Sequence, residues 1–263
     1  MKWALVTGGA GGMGYATARR LCRAGYRVFA LDRNAPEACE GLRWIETDLT
    51  DEASVQAAFK QVSTQVDALD CVVHMAGLYD LGSLVEMDET ELRRVFDVNF
   101  FAVCRVNRVF LPLLGEGARI LITTSELATL DPLPFTGLYA VSKAALDKYA
   151  FSLRMEVQML GISVAVLRPG AVRTGMLDVS TRALSDFCEK TTHYRANSER
   201  FRRIVERVEA RKTPPERVAA LAWKALSARS PRFVYSINRN LLLLLLNGLP
   251  DRWQTGIIRR VLR

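Results

Sequence analysis

Between an apolar run, Trp3 to Val6, and an amphipathic one, Tyr15 to Ala24, the chain reads Thr7-Gly-Gly-Ala-Gly-Gly-Met-Gly14. Glycines at a strand-to-helix turn let the backbone approach a pyrophosphate and aim the partial positive charge of the helix N-terminus at it. The spacing T-G-x-x-x-G-x-G on Thr7, Gly8, Gly12 and Gly14, with Met13 inside the turn, predicts a dinucleotide-binding loop.

The stretches that follow suit such a ligand. Arg27 to Asp32 reads as a second strand ending in a carboxylate 18 residues after Gly14. An acid there accepts hydrogen bonds from the adenosine ribose and repels a 2′-phosphate, which favours NAD. Arg33 follows and offers a phosphate partner, so NADP stays open; a turn cap is the other reading of Asp32. Trp44 to Thr47 reads as a third strand. Asp48-Leu49 at its end either meets the adenine or, through Asp48, caps a helix over Asp51 to Val66. A fourth strand, Cys71 to Met75, runs into Ala76-Gly77, small residues beside which a cofactor can lie close to the backbone. His74 in that strand reads as a structural hydrogen-bonding residue. A helix is predicted over Asp88 to Leu114. Within it Asn99 sits among Val95, Phe96, Val98, Phe100 and Phe101, so it must hydrogen-bond a backbone group or water.

Chemistry enters with Ile120 to Ser125, a buried strand ending in a hydroxyl, and with Tyr139 and Lys143. These last two are four residues apart in a helix-compatible stretch and so share one face. An ammonium near a phenol favours the phenolate and lowers a pKa normally about 10, which suits proton exchange with an alcohol or ketone. Ile162 to Leu167 is a sixth strand, leading into Arg168-Pro-Gly-Ala-Val-Arg-Thr174.

These motifs, in this order over Trp3 to Thr174, resemble the short-chain dehydrogenase/reductase family. The resemblance implies an α/β fold, a doubly wound Rossmann parallel sheet of about seven strands, with residues 1–263 as a single domain. It implies a tetrad of Asn99, Ser125, Tyr139 and Lys143: Tyr139 as acid/base, Ser125 orienting the substrate oxygen, Lys143 tuning the tyrosine and holding the nicotinamide ribose, Asn99 anchoring a relay water. Pro169, Gly170, Val172 and Thr174 match the family's P-G-x-V-x-T, with Thr174 on the carboxamide. Three departures stand out. His74-Met75 occupy the place of two asparagines. Ser125 precedes Tyr139 by 14 residues, one more than is common, and is followed by Glu126 where small residues are usual; Thr124 is the competing serine position, but Ser125 is closer in spacing.

Composition narrows the rest. With 263 residues, 49% hydrophobic, the chain can bury a core as one large domain. Five cysteines without a C-x-x-C pair fit a reducing, cytoplasmic setting, no leader is read at Met1, and no metal-ligand pattern is singled out. The net charge of +8 is uneven: residues 182–263 carry 18 Lys/Arg against 7 Asp/Glu. There is no aromatic-basic interleaving, so nucleic acid is not an expected partner. The longest apolar run, Leu241 to Leu246, is six residues where a membrane span needs about 20.

Beyond Thr174, residues 177–213 are too long for a simple connection and are expected to be a helical lid, with Leu177, His193 and Tyr194 as candidate substrate contacts. Residues 238–263 form an apolar tail rimmed by arginines, which covers a greasy pocket, packs on its own domain or a subunit, or touches an anionic membrane peripherally. This organisation resembles the 17β-hydroxysteroid dehydrogenase-like branch. The expected function is interconversion of a secondary alcohol and a ketone on a bulky apolar, steroid-like or lipid-like substrate. The alternatives are an acyl-carrier-protein ketoreductase and a non-catalytic dinucleotide sensor. The resemblance further implies a homodimer or homotetramer through the helices of Asp88 to Leu114 and Tyr139 to Leu160.

Overall fold

In the computed structural model, which describes residues 1–209 and 212–263 and leaves the side chains of 176–182 and 207–211 outside that description, seven strands form one all-parallel sheet. They are β1 (Lys2–Thr7), β2 (Tyr26–Asp32), β3 (Leu42–Glu46), β4 (Cys71–His74), β5 (Arg119–Thr123), β6 (Ser163–Pro169) and β7 (Val234–Ile237), in the order β3-β2-β1-β4-β5-β6-β7. The order reverses direction between β1 and β4, and a crevice opens beyond their carboxyl ends, where ligands of such sheets bind.

Both faces of the sheet are covered, which is why its strands read as unbroken apolar runs. Successive side chains point to opposite faces. Leu5, Phe29, Leu31, Val72, Ile120 and Ile122 join one core with Val55 and Val62 of α2 (Glu52–Ser63), Val106 and Phe110 of α4 (Ala102–Phe110), and Leu146 and Ala150 of α5 (Gly137–Val157). Ala4, Val6, Val28, Val73, Leu121 and Leu167 join another with Ala18 and Leu21 of α1 (Gly12–Arg23) and Val218 and Ala222 of α8 (Pro215–Ser227).

The helix expected over Asp88 to Leu114 is not continuous. α3 (Glu89–Phe96), entered by an Asp88–Glu91 capping box, passes into a π-helical turn over Asp97–Phe101 before α4 begins. Asn99 lies within this π turn and is fully buried; such bulges recur at functional sites. α2 is capped by Asp51, whose carboxylate accepts from the N–H groups of Ala53 and Ser54. Asp48 therefore does not cap it, because its own carboxylate is taken by the N–H and hydroxyl of Thr50.

Residues after Thr174 build a third, smaller cluster. α6 (Gly175–Lys190) and α7 (Arg195–Glu209) meet α10 (Asp251–Leu262) around Leu184, Cys188, Phe201 and Leu262. The turn between α6 and α7 is held by Glu86, which accepts from Thr191 Oγ1 at 2.7 Å, Thr192 Oγ1 at 2.9 Å and the N–H groups of Thr192 and His193 at 3.0 Å. These donors, led by the Thr191 hydroxyl, hold the Glu86 carboxyl down at about 2. α9 (Leu241–Asn247) starts at Asn240, whose side chain accepts from the N–H groups of Leu242 and Leu243.

Candidate active site

The glycine turn is shaped by close backbone approach. A Cβ at Gly14 would lie 1.9 Å from Gly8 O, and one at Gly8, whose φ is +68°, would lie 2.6 Å from Ala76 N. No other residue fits those two positions. Gly11 provides no capping side chain to α1, so the first N–H groups of that helix are free to meet an anion. The cleft above them is lined by Gly8, Gly12, Met13, Gly14, Asp32, Arg33, Asp48, Leu49, Ala76, Gly77 and Thr174. Asp32 is braced there, its Oδ2 accepting from Ala10 N at 3.0 Å and its Oδ1 from Asn34 N at 3.1 Å. Thr7, buried, instead ties β1 to the end of its sheet neighbour β4 by accepting from Met75 N. This donor set and shape fit a nicotinamide dinucleotide.

A second, mostly apolar cavity continues from the cleft, sharing Met13, Met75, Ala76, Gly77, Leu78 and Thr174 with it. At the junction stand Ser125, Tyr139 and Lys143. Ser125 follows the end of β5, where its Oγ accepts from Leu127 N at 3.2 Å, and Tyr139 lies in the first turn of α5, near enough for the Ser125 hydroxyl to favour its ionised form. The neighbouring Thr124 hydroxyl is turned away, donating to Asp147 Oδ1 at 3.1 Å. Lys143 is 4% exposed, and its Nζ donates to Thr123 O at 3.2 Å and lies 5.8 Å from the Tyr139 ring centre. Tyr79 packs edge-on to Tyr139 with ring centres 4.6 Å apart.

Burial dominates the electrostatics of these groups. It pushes the Tyr139 phenol up to about 12, against the Ser125 hydrogen bond that favours phenolate, and the Glu126 carboxylate pushes it further the same way. Burial likewise brings Lys143 down to about 8. The sequence-based expectation of a phenol lowered by its lysine is thus reversed in the protein alone, because the ammonium sits over the ring and bonds to a backbone carbonyl rather than to the phenolic oxygen.

Asn99 reaches this junction from the π turn. Its Oδ1 accepts from Leu78 N at 2.7 Å, and its Nδ2 donates to Leu78 O and Ser142 Oγ, both at 3.0 Å. Asn99 thereby fixes the strand exit after Gly77 and the helix carrying Tyr139. Ser142 Oγ donates in turn to Tyr139 O at 2.8 Å. His74 is structural as expected: its Nε2 pairs with Asn107 Oδ1 at 2.8 Å, and burial lowers it to about 4.

The remaining candidates are placed as follows. Pro169, Gly170 and Val172 line the apolar cavity, with Lys143 and Thr174, and not the cleft above the glycine turn. His193 is exposed, its backbone N–H held by Glu86, and Tyr194 packs against Phe135 at 5.4 Å; neither lines the cavity, because the α6–α7 turn is drawn toward Glu86. The Leu177 side chain lies outside the described residues. The cavity walls are instead Phe201, Ile204 and Val205 of α7, Leu133, and Leu242 and Leu243 of α9. Ile204, Val205 and Leu133 were not singled out from sequence, and Glu126 was noted only as a departure from the family pattern; apolar spacing along α7 was the available signal for the first two.

Comparison with known proteins follows the same lines. Residues 2–184 match the short chain dehydrogenase family. The chain is 28% identical to the 3-ketodihydrosphingosine reductase of Bacteroides thetaiotaomicron, over 87% of this chain and 85% of that one. It is 32% identical to estradiol 17-beta-dehydrogenase 2 of Mus musculus over 66% of this chain but only 49% of that protein. Among solved structures, a short chain dehydrogenase family protein from Francisella tularensis superposes with a TM-score of 0.75 at 22% identity, covering 90% of this chain and 97% of that one. With the family match reaching from β1 through the glycine turn and the Ser125–Tyr139–Lys143 junction into α6, the chain belongs to the short-chain dehydrogenases, oxidoreductases that bind NAD(P), and is similar to their 17β-hydroxysteroid dehydrogenase-like branch.

Proposed function

We propose that this chain reduces a ketone on a bulky apolar substrate, or oxidises the corresponding secondary alcohol, with NAD as the preferred dinucleotide. The observation that carries this reading is the convergence of Ser125, Tyr139 and Lys143 at the point where an apolar cavity opens from the dinucleotide cleft. The bound nicotinamide supplies hydride exchange. Gly8, Gly12 and Gly14 with the α1 N-terminus hold the pyrophosphate, Asp32 the adenosine ribose, Asp48 and Leu49 the adenine end, and Thr174 the carboxamide. Lys143 serves the nicotinamide ribose. In reduction, Tyr139 gives its proton to the carbonyl oxygen while the Ser125 hydroxyl donates to the same atom. Asn99 keeps Tyr139 and the Leu78 backbone in register, and the relay water is a role it takes from the family resemblance.

The substrate class rests on the walls. Ile204, Val205, Phe201, Leu242 and Leu243 offer almost no polar atoms, and each buried methylene contributes about 0.8 kcal/mol, so a long chain or ring system is held where a small polar alcohol is not. The similarity to a long-chain ketone reductase and a steroid dehydrogenase supports the same class. A panel of long-chain ketones, steroids and small sugars, run with NADH and NADPH, tests both parts. Steroid-like or lipid-like ketones are expected to have the higher kcat/KM, and small polar substrates outperforming them would overturn the substrate class. NADH is expected to be the better cofactor, with Asp32→Ala narrowing the gap because the exposed Arg33 is then free to meet a 2′-phosphate. A wild-type preference for NADPH would overturn the cofactor assignment.

Two surfaces support partners. Phe101, Val141, Phe151, Met155 and Leu160, each about half exposed, lie along the helices that pair subunits in the family, which supports a homodimer or homotetramer. On the tail, Leu241, Leu242 and Leu245 are 70–73% exposed and Trp253, Ile257 and Val261 follow at four-residue spacing. Arg239, Arg252, Arg259, Arg260 and Arg263 are exposed beside a single acid, Asp251. Apolar side chains within a basic rim match the surface of an anionic bilayer, and no helix among the described residues is long and apolar enough to cross one. The protein is expected to sediment with phosphatidylglycerol-containing vesicles and not with pure phosphatidylcholine, and the double variant Leu241→Ser/Leu245→Ser to stay in the supernatant. A variant that alters subunit mass instead would assign the face to a second copy.

A further inference from the structure

Glu126 has no part in the chemistry described so far, yet it is 7% exposed and lines the apolar cavity next to Ser125, Thr136 and Tyr139. Among the described residues it is the only carboxylate that lines that cavity. Its Oε2 accepts the backbone N–H of Asn240 at 2.7 Å. Its Oε1 faces Gly170, where a Cβ would stand 2.8 Å away and would also come within 2.0 Å of Asn238 O. The carboxylate is thus held in place from two sides, by the entry to α9 and by the turn after β6.

Among the described residues Glu126 forms no ion pair within 4.0 Å. Burial raises its carboxyl above the usual range, while the Asn240 N–H and the charge of Arg239 lower it only in part. A buried carboxylate without a cation is costly, and such groups persist where a ligand brings the opposite charge. Lys143 lines the same cavity, but its ammonium is engaged by Thr123 O; a mostly apolar cavity with this carboxylate in its wall is complementary to an apolar molecule that carries one cationic group.

We propose that Glu126 binds an ammonium group of the substrate close to the reacting carbonyl, so that the preferred substrates are long-chain amino ketones and amino alcohols. The proposal rests on the reading of this cavity as the site of an apolar ketone, and it narrows that class by charge. Ser125, which orients the carbonyl oxygen, and Glu126, which takes the amine, line this one cavity, so both groups of an amino-carbonyl unit are held within it. Seating a cation there also cancels the influence by which the Glu126 carboxylate opposes ionisation of Tyr139, so an amino alcohol assists its own oxidation.

The test uses the purified full chain with a long-chain α-amino ketone, the α-hydroxy ketone and the unsubstituted ketone of equal length. Wild-type kcat/KM is expected to favour the amino ketone by at least about tenfold, the order expected from one hydrogen bond to a charged group. Glu126→Gln keeps an acceptor for Asn240 N–H and removes the charge. It is expected to bring the ratio of amino to unsubstituted ketone close to one, mainly by raising KM for the amine. A wild type that does not prefer the amino ketone, or a variant that loses activity on all three in proportion, would overturn the proposal. Thermal shifts of wild type and variant with a long-chain amine and the matching alcohol give a readout without turnover. If no ketone is reduced but the amine alone stabilises wild type, the oxidoreductase reading of the cavity fails while the ammonium site stands; an amine that stabilises no better than the alcohol sinks the ammonium site.

Discussion

Replacing Tyr139 by phenylalanine is expected to lower kcat by roughly 10²- to 10⁴-fold, the range attributed to a positioned acid/base group. The ring and its edge-on contact with Tyr79 are retained, so dinucleotide binding, followed by quenching of protein fluorescence, is expected to persist. The direction of the phenol's shift adds a pH dependence. With its pKa pushed up to about 12, Tyr139 stays protonated through neutral pH, so ketone reduction, which uses the proton, is expected to be level from about pH 6 to 8. Alcohol oxidation needs the phenolate and is expected to rise with pH over that interval. A Phe variant that turns over near the parent rate would remove Tyr139 from the chemistry.

The largest expected effect on stability belongs to Asp147. Its carboxylate receives Arg168 in two bonds, from Nε at 2.9 Å and Nη2 at 2.7 Å, with the Thr124 hydroxyl as a third donor. The two side chains are only 20% and 11% exposed, and they join β6 to α5 directly behind Ser125. Asp147→Ala leaves the guanidinium largely buried and unpaired, for which the expected loss is about 3–5 kcal/mol, or a fall in Tm of roughly 6–20 °C for a domain of this size. Replacing the pair together, Asp147→Leu with Arg168→Met, is expected to recover much of that loss, since an apolar pair carries no desolvation cost. Urea unfolding of the two variants measures both; a loss below about 1 kcal/mol for Asp147→Ala would mean that water already screens the pair.

The strands could be read from the sequence because a parallel sheet covered on both faces demands apolar residues at every position, and each run of Val, Ile and Leu ends at a turn residue. The glycine turn was legible because its glycines answer to backbone contacts as short as 1.9 Å, a requirement that only one residue type meets. The π turn around Asn99 was not: one additional residue leaves the apolar spacing of Val95, Val98 and Ala102 compatible with an ordinary helix. Nor could local spacing reveal that Glu126 meets Asn240, or that Glu86 draws His193 and Tyr194 away from the cavity, since those pairs are set by how distant segments dock. The phenol's upward shift belongs to the same class, being a consequence of burial that no i, i+4 pattern encodes.

The strand order has a bearing on how the protein is made. From β4 onward each new strand joins the outer edge of the sheet in the order of synthesis, β4 beside β1, then β5, β6 and β7. Domains fold as the chain emerges, N-terminal parts first. A nascent chain that has reached Thr174 already holds every residue of the dinucleotide cleft except Gly175, but not yet Ile204, Val205, Leu242 or Leu243, which wall the apolar cavity. A ribosome paused in that interval therefore presents a half-finished enzyme with an uncovered apolar floor, and cofactor captured at that stage would stabilise the nascent sheet while its last helices are still being translated.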